Sequence, residues 1–224
     1  DRLVNHPGIK LDGLWSHLST AEENDPSYYN YQINLFNEIT ARIINKNPGI
    51  SYRHIANSSA ILKYPKSHFN MVRPGIALYG ALPYADAKSN LKPVMAFKAP
   101  VTLIRKMSKG SSIGYNRKYK LDTDRMIATV QAGYADGVNT ALCNIGQVSF
   151  GSKLLNIVGK ISMDQMAVDV TGVKINPGDL VTIWGGDNRE TRVEKVASGI
   201  DKIPYELLTS LSNRVEKKII QEKN

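Results

Sequence analysis

An arginine, a proline and a glycine precede an apolar run at residues 73–80, which read RPGIALYG. A buried strand does not need an arginine at its start, and a glycine lets another group approach the backbone closely. A cation beside backbone N–H donors suits an anionic or aromatic ligand. Because the same three residues also form ordinary turns, a ligand site here depends on agreement from other parts of the chain.

Three tyrosines lie in polar segments next to glycine or proline: Tyr115 in GYNR, Tyr134 in GYADG and Tyr205 in PYE. A phenol acts as an acid or a base when a nearby cation or desolvation tunes its pKa. The alternative for each is a core tyrosine with a hydrogen-bonded hydroxyl. Three such tyrosines in one half of the chain shift the balance towards acid–base chemistry.

Several other kinds of chemistry lack their motifs. The four histidines contain no helical i, i+4 pair, so the sequence predicts no metal site, and neither a phosphate loop nor a G-x-S-x-G elbow is present. No run approaches the roughly 18 apolar residues of a membrane span. The single cysteine, Cys143, rules out an internal disulfide framework and fits a reducing, cytoplasmic compartment.

The chain of 224 residues carries a formal net charge of +9. This charge permits binding of a nucleic acid or an anionic ligand. The lysines are scattered, however, and no basic helix with interleaved aromatic residues is present. The sequence therefore predicts solvated surface charge and no nucleic-acid partner, and a nucleic-acid-binding β-barrel remains an alternative that rests on charge alone.

Strands and helices alternate in the first part of the chain. Residues 8–18 and 51–56 read as strands that end in polar side chains, and residues 73–79 read as a third. Between the first two, a helix is predicted from Asp25-Pro26 to Asn47-Pro48-Gly49. Its apolar face is predicted to contain Tyr28, Gln32, Leu35, Phe36, Ile39 and Ile43. This is a parallel β/α pattern, but three strands cannot close a barrel.

The pattern changes near residues 85–95. From about Leu91 the side chains alternate, with Phe97, Ala99, Val101 and Leu103 on one face. Short apolar runs then follow, separated by Gly, Asn and Pro-Gly turns, which is typical of an antiparallel β-domain or a small barrel. Helical periods at residues 194–198 and 205–211 complete the second half.

Six segments together resemble the alanine racemase family, in matching order and spacing along nearly the whole chain. They are ANSSA at 56–60, RPGIALYG at 73–80, IGYNRKY at 113–119, GYADG at 133–137, SMDQMAVDV at 162–170 and PYELLTSLSNRV at 204–215. The resemblance implies an α/β chain in which residues 1–90 are the C-terminal portion of a (β/α)8 TIM-type barrel. Residues 91–224 would then form a mainly antiparallel C-terminal β-domain.

The resemblance implies pyridoxal 5′-phosphate (PLP) as the cofactor. Arg73 matches the arginine that faces the PLP ring nitrogen, and His17 matches a histidine beside the ring. Because arginine keeps its proton at neutral pH, the ring nitrogen is expected to stay unprotonated and to be a weakened electron sink. Such a cofactor favours simple proton return over transamination or elimination.

The same resemblance implies a phosphate site with ligands from both halves of the chain. Ser58 matches a phosphate ligand, and Gly75 and Ile76 match ligands that act through their backbone N–H groups. Tyr205 matches a residue that contacts the phosphate through its hydroxyl. Backbone donors near the last barrel strands are the usual phosphate site of this fold.

The resemblance also implies two-base interconversion of L- and D-alanine through a PLP aldimine, an isomerase reaction that supplies D-alanine for peptidoglycan. Tyr115 matches the base on one face of the substrate, and the other base in the family is the PLP-binding lysine. Met163 matches a backbone contact to the substrate carboxylate, and Tyr134 lies in the substrate-access region. Since Tyr115 and Met163 would enter the partner subunit's site, a head-to-tail homodimer is implied.

Three departures from the family pattern are present, and the first two limit what this stretch is expected to do alone. The Schiff-base lysine, from an AVVKANAYGHG-like segment, and a substrate-binding arginine, from a DTGMxRxG-like segment, have no match. Thr140 stands where the family commonly has an arginine. We therefore expect part of a longer polypeptide that is inactive without its N-terminal part.

Two alternatives remain open at the sequence level. A racemase for serine or a broader range of amino acids keeps the same site residues, because a methylene or hydroxyl in the pocket is worth only about 1–3 kcal/mol. A non-catalytic remnant that binds a phosphate-bearing ligand, or dimerises, would account for the missing lysine.

Overall fold

The structure is a computed structural model that describes residues 6–84 and 90–220. The chain divides into two compact units, residues 1–83 and residues 84–224. The sequence places the boundary near residues 85–95, of which 85–89 lie outside the described residues. Within the described residues, no helix is long and apolar enough to cross a membrane.

Unit 1 is built on a parallel pair of strands, β1 (Gly13–Trp15) and β2 (Tyr52–His54), with Trp15 opposite His54. Helix α1 (Ser27–Lys46) connects them, and helix α2 (Ser58–Lys63) and 3₁₀ turns at Pro65–Ser67 and Ile76–Tyr79 follow. The predicted strand–helix–strand order is confirmed, although both strands are shorter than the sequence indicates. The carboxyl ends of β1 and β2 lie side by side.

The prediction of a strand at residues 73–79 is wrong. Ile76–Tyr79 form a 3₁₀ helix that ends at Gly80, whose φ of 71° is the left-handed conformation that glycine adopts readily. The Ser58 hydroxyl accepts the backbone N–H groups of Gly75 and Ala77 at 2.9 and 3.2 Å. Because one hydroxyl accepts the N–H groups of two residues that are two positions apart, the backbone between them bends. The apolar run therefore forms a 3₁₀ turn and not a strand.

Helix α1 also differs from its predicted face and start. Its buried residues are Tyr29, Ile33, Phe36 and Thr40, whereas Tyr28, Leu35 and Ile39 are exposed. The helix carries two apolar stripes, and periodicity alone does not say which one packs. Pro26 occupies the N-cap position, and Asp25 lies one residue further out, where its carboxylate accepts the Ser27 N–H at 2.9 Å.

Unit 2 contains a closed antiparallel barrel of six strands, which confirms the predicted antiparallel β-domain. In spatial order the strands are β10, β3, β6, β9, β8 and β7. Closure leaves no unpaired edge, which protects a small sheet from aggregation. The barrel strands are β3 (Ala96–Met107), β6 (Arg125–Val130), β7 (Gln147–Phe150), β8 (Lys153–Val158), β9 (Met166–Asp169) and β10 (Leu180–Gly185).

Smaller elements surround the barrel and carry several of the predicted site residues. Strands β4 (Ser112–Ile113) and β5 (Tyr119–Lys120) form a short hairpin, and α3 (Val193–Ser198) and α4 (Pro204–Thr209) follow the last barrel strand. Both predicted C-terminal helices are present, with bounds shifted by one or two residues. The 3₁₀ turn Tyr134–Asp136 follows β6.

The predicted alternation along β3 holds for three of its four residues. Phe97, Ala99 and Val101 are buried in the barrel, but Leu103 is 46% exposed. A bulge lies between Val101 and Leu103 in the pairing with β6. One extra residue at a bulge exchanges the two faces of a strand, so the alternation changes phase there.

Replacement of Ile157 by alanine tests the barrel core, because this β8 side chain is 1% exposed. We expect the free energy of unfolding of unit 2 to fall by about 2–5 kcal/mol, since the substitution leaves a cavity. Chemical denaturation, followed by the fluorescence of the buried Trp184 in β10, measures the change. The matched control is Ile145→Ala, which alters a side chain that is 64% exposed and should change stability by about 0.5 kcal/mol or less. Equal effects of the two variants would contradict the packing.

Candidate active site

The guanidinium group of Arg73 lies across the carboxyl ends of β1 and β2. Its Nη2 donates to the Ser16 carbonyl oxygen at 2.9 Å, and its Nη1 donates to the His54 carbonyl oxygen at 3.3 Å. The Arg73 backbone N–H donates to the Ala56 carbonyl at 3.0 Å. Both strand ends and the chain beyond β2 therefore hold this one residue, which is partly buried.

Two histidines face the same guanidinium. Arg73 Nη1 donates to His54 Nδ1 at 2.7 Å, and Nη2 lies 3.4 Å from His17 Nδ1. Since arginine only donates, the Nδ1 atom of His54 must accept, and its proton must then lie on Nε2. Burial and the nearby Arg73 charge lower the pKa of His54 from its ordinary value. The arrangement is thus a permanent cation beside a neutral imidazole.

Ser58 organises a second polar group near the start of α2. Its Oγ accepts the N–H groups of Gly75 and Ala77, so the Ser58 hydroxyl proton remains for donation to another acceptor. The sequence indicated that the Gly75 N–H would be open to a ligand, but in the structure it already donates to Ser58. Asn57 fixes this segment, because its side chain accepts the Ala60 N–H at 3.1 Å and donates to the Leu18 carbonyl at 3.3 Å.

The unit 1 residues predicted for the cofactor fall into two groups. His17 and Arg73 meet at the strand ends, and Ser58 contacts Gly75. Ile76 is 2% exposed, so its side chain belongs to the packed interior. The five predicted residues thus lie on the loop after β1, at the start of α2 and on the segment at residues 73–76.

Tyr115 lies at the tip of the β4–β5 hairpin and is 69% exposed. Gly114 before it has a φ of 72°, and a Cβ there would come within 2.8 Å of the Lys160 backbone nitrogen. Asn116 and Arg117 after it also have positive φ values, 62° and 53°. The chain around Tyr115 is therefore held in an unusual conformation against the segment after β8.

Tyr134 and Met163 come from loops that are packed backbone to backbone. Tyr134 donates its N–H to the Ser162 carbonyl at 3.0 Å, and Ala135 donates to the Met163 carbonyl at 2.9 Å. A Cβ on Gly133 would overlap the Ser162 carbonyl oxygen and the next peptide group. Both Tyr134 and Met163 keep about half of their side chains exposed, at 49% and 53%.

The turn that carries Tyr134 also contacts the end of α4, the helix of Tyr205. A Cβ on Gly137 would come within 2.8 Å of the Ser210 carbonyl oxygen, and the Ser210 hydroxyl donates to the Gly137 carbonyl at 3.0 Å. Asp136 accepts from Arg214 Nε at 3.1 Å. Three predicted residues, Tyr134, Met163 and Tyr205, are therefore on mutually supported segments of unit 2.

Thr140 lines a cavity of about 250 Å³ between this turn and α4. Tyr134, Asn139 and Glu206 also line it, together with Ser210. The resemblance predicts an arginine at position 140, and in this chain the shorter threonine contributes to the cavity lining. The cavity lies beside Tyr134, which the resemblance assigns to substrate access.

Sequence reasoning missed two residues that the structure places beside Arg73. His54 accepts from its guanidinium, and the guanidinium carbon lies 5.2 Å from the centre of the Trp15 ring. The available signal was the alternation of Trp15 with His17 in the predicted strand at residues 8–18 and the position of His54 in the next predicted strand. Asp136 and Arg214 were also missed, although both lie inside the quoted motifs.

Comparison with known proteins identifies the family of this α/β and β-barrel chain. The sequence model described as "Alanine racemase, N-terminal domain" matches residues 1–83, and "Alanine racemase, C-terminal domain" matches residues 94–219. The alanine racemase of Clostridium novyi (strain NT) is 39% identical over 221 residues, covering 96% of this chain and 57% of that protein. The chain belongs to the alanine racemase family.

Solved structures agree with this assignment. A crystal structure of biosynthetic alanine racemase from Pseudomonas aeruginosa has a TM-score of 0.85 and 32% identity, covering 97% of this chain and 59% of that one. Alanine racemase from Bartonella henselae with covalently bound pyridoxal phosphate has a TM-score of 0.82 and 34% identity, covering 95% and 57%. The chain thus spans less than two thirds of these relatives.

Gly133→Ala tests the contact between the loops of Tyr134 and Met163. Gly133 has a φ of −141°, which any residue adopts, so the effect of the new methyl group is steric. We expect the free energy of unfolding to fall by about 1–3 kcal/mol or more, because backbone atoms must move. Gly199→Ala is the control, since φ is −65° and its nearest contact is an ordinary 3.5 Å. A neutral Gly133→Ala would contradict the close packing.

The contact between Arg73 and His54 predicts a pH-dependent loss of stability. Because the pKa of His54 is lowered in the folded protein, the unfolded chain takes up the proton first as pH falls. The stabilisation is complete above pH 6.5, the ordinary value, and is lost as pH falls towards the folded pKa. NMR titration of the imidazole should give a pKa below 6.5; a higher one would contradict the contact.

His54→Gln is expected to reduce the fall in unfolding free energy between about pH 7.5 and pH 5.5, because one proton-linked group is gone. His6→Gln is the matched control, since His6 is exposed and its Nδ1 accepts the Gly8 N–H within its own turn. That variant should keep the full pH dependence.

Proposed function

We propose that this chain is the C-terminal part of a PLP-dependent alanine racemase, which interconverts L- and D-alanine. The observation that carries the proposal is the Arg73 guanidinium, held by strand-end carbonyls and a neutral histidine within a chain of this family. An anchored cation beside a polar hydroxyl matches the two ends of a PLP molecule, the ring nitrogen and the phosphate. Cytoplasmic action and D-alanine supply for peptidoglycan follow from the same proposal.

The polar groups of unit 1 fit PLP in their chemistry. Arg73 would donate to the ring nitrogen, and since arginine stays protonated, that nitrogen would accept and carry no proton. Ser58 would donate its hydroxyl to the phosphate, with the backbone of Gly75 and Ile76 beside it. His17 would lie at the ring. When bound, PLP supplies the electron-withdrawing group that makes the substrate α-proton acidic.

The residues of unit 2 would act on the substrate. Tyr115 is exposed at a hairpin tip, where its phenol can reach a site outside its own unit, and we infer that it removes or returns the α-proton. The Met163 backbone would contact the substrate carboxylate, Tyr134 would line its access, and Tyr205 would donate to the phosphate. A head-to-tail homodimer would bring Tyr115 and Met163 into the partner's site.

We further infer that residues 1–90 complete a (β/α)8 barrel together with other parts of a longer polypeptide. Parallel sheets in proteins are covered on both faces, and among the described residues β1 and β2 pair only with each other. Helix α1 exposes Tyr28, Leu35 and Ile39 in addition to its buried face. The relatives' greater length leaves room for the missing strands and for the lysine that holds PLP.

Tyr115→Phe in the longer polypeptide tests the proposal. Removal of the hydroxyl should lower the rate of L- to D-alanine conversion by roughly 10²–10⁴-fold, the usual contribution of one acid–base group. Chiral chromatography of the products measures both directions. Tyr28→Phe is the control, because it removes the same hydroxyl from a tyrosine on α1 that is not among the predicted site residues.

Wild-type rates in Tyr115→Phe would remove that tyrosine from its role. Absence of racemisation in the unaltered longer polypeptide, with PLP bound, would instead favour a non-catalytic protein. Rates with serine above those with alanine would keep the chemistry and change the substrate. The 224-residue chain alone is expected to be inactive.

A further inference from the structure

Trp15 has an unusual environment for a tryptophan in a short strand. Its side chain is 65% exposed, so it contributes little to the core of unit 1. Leu18 and Ile55, which follow the two strands, fill that core instead. An exposed tryptophan at the carboxyl end of a parallel strand therefore has a role other than burial in this unit.

The Trp15 ring contacts two of the groups already described around Arg73. The guanidinium carbon lies 5.2 Å from the Trp15 ring centre, within cation–π range. The Trp15 and His54 rings are nearly parallel, at an interplanar angle of 8° and a centroid distance of 6.4 Å. This arrangement follows from the register, because Trp15 is paired directly with His54 across the two strands.

The hydrogen bonds made by Arg73 do not by themselves stop its guanidinium from tilting out of its plane, and the Trp15 ring lies against that group. The N–H groups of a guanidinium lie in its plane, so the bonds from Arg73 to the Ser16 and His54 carbonyl oxygens and to the His54 imidazole act mainly along that plane. In-plane acceptors restrain a planar group poorly against tilting out of its plane. An aromatic ring facing the guanidinium supplies that restraint, and tryptophan gives the strongest such attraction among the aromatic residues.

We propose that Trp15 is a positioning residue for Arg73, whose ring holds the guanidinium at the carboxyl ends of β1 and β2 in the orientation used for the cofactor ring. This rests on the proposed function, in which Arg73 meets the PLP ring nitrogen. Trp15 touches neither substrate nor cofactor in this role. It acts through Arg73 and through the stacked His54.

The test compares Trp15→Leu with Trp15→Phe in the longer polypeptide. In the apoprotein, arginine-selective ¹⁵N NMR should show restricted rotation of the Arg73 guanidinium in wild type, faster rotation in Trp15→Leu and restored restriction in Trp15→Phe. Titration of each apoprotein with PLP should show roughly 2- to 30-fold weaker binding for Trp15→Leu, which is the range of one cation–π contact. Trp15→Phe should retain most of the affinity.

A measurement on the unaltered protein needs no variant. The δ-protons of Arg73 should show upfield ring-current shifts from Trp15, and their absence would overturn the proposal. Unchanged guanidinium rotation in Trp15→Leu would overturn it as well. Faster guanidinium rotation in Trp15→Leu with unchanged PLP affinity would overturn the proposal for the cofactor ring, because the orientation of Arg73 would then not matter for PLP binding. A Trp15→Leu protein with lower stability and normal Arg73 rotation would show a merely structural role.

Discussion

The bonds between the Arg73 guanidinium and the carbonyl ends of β1 and β2 are the interaction on which the candidate site of unit 1 depends. A buried polar group without a partner is costly, and Arg73 donates to both strand-end carbonyls, although that of His54 also accepts the Ser16 N–H at 3.3 Å. Arg73 satisfies the Ser16 and His54 carbonyls and forces the proton of His54 onto Nε2. The same cation therefore satisfies backbone acceptors and sets the tautomer of His54.

Close backbone contacts play the corresponding part in unit 2. Gly114, Gly133 and Gly137 each lie where a side chain would meet the backbone of another segment. Tyr115, Tyr134 and the neighbouring Met163 are therefore placed by loops whose positions are set by close packing against neighbouring backbone segments. Side chains that stay exposed on rigid loops are suited to contact a ligand or a second subunit, since the scaffold carries the cost of ordering them.

The sequence predicted the order of elements better than their details. Alternation and turn residues were enough for the antiparallel β-domain, because Phe97, Ala99 and Val101 show the period directly, but not for its closure into a six-stranded barrel. The 3₁₀ turn at 76–79 was missed because its cause is the Ser58 hydroxyl, 18 residues earlier than Ile76 in the chain. The contacts of Trp15 and His54 with Arg73 depend on strand register, which a short apolar segment does not specify. The roles of the site residues came from the family resemblance and stay predictions.

The central claim is that Arg73 of this chain faces the PLP ring nitrogen and keeps it unprotonated. The most direct measurement is the ¹⁵N chemical shift of PLP labelled at the ring nitrogen and bound to the longer polypeptide. We predict the shift of a neutral pyridine that accepts a hydrogen bond, and a change of that shift when Arg73 is replaced by lysine. The shift of a protonated pyridinium in the unaltered protein would contradict the account.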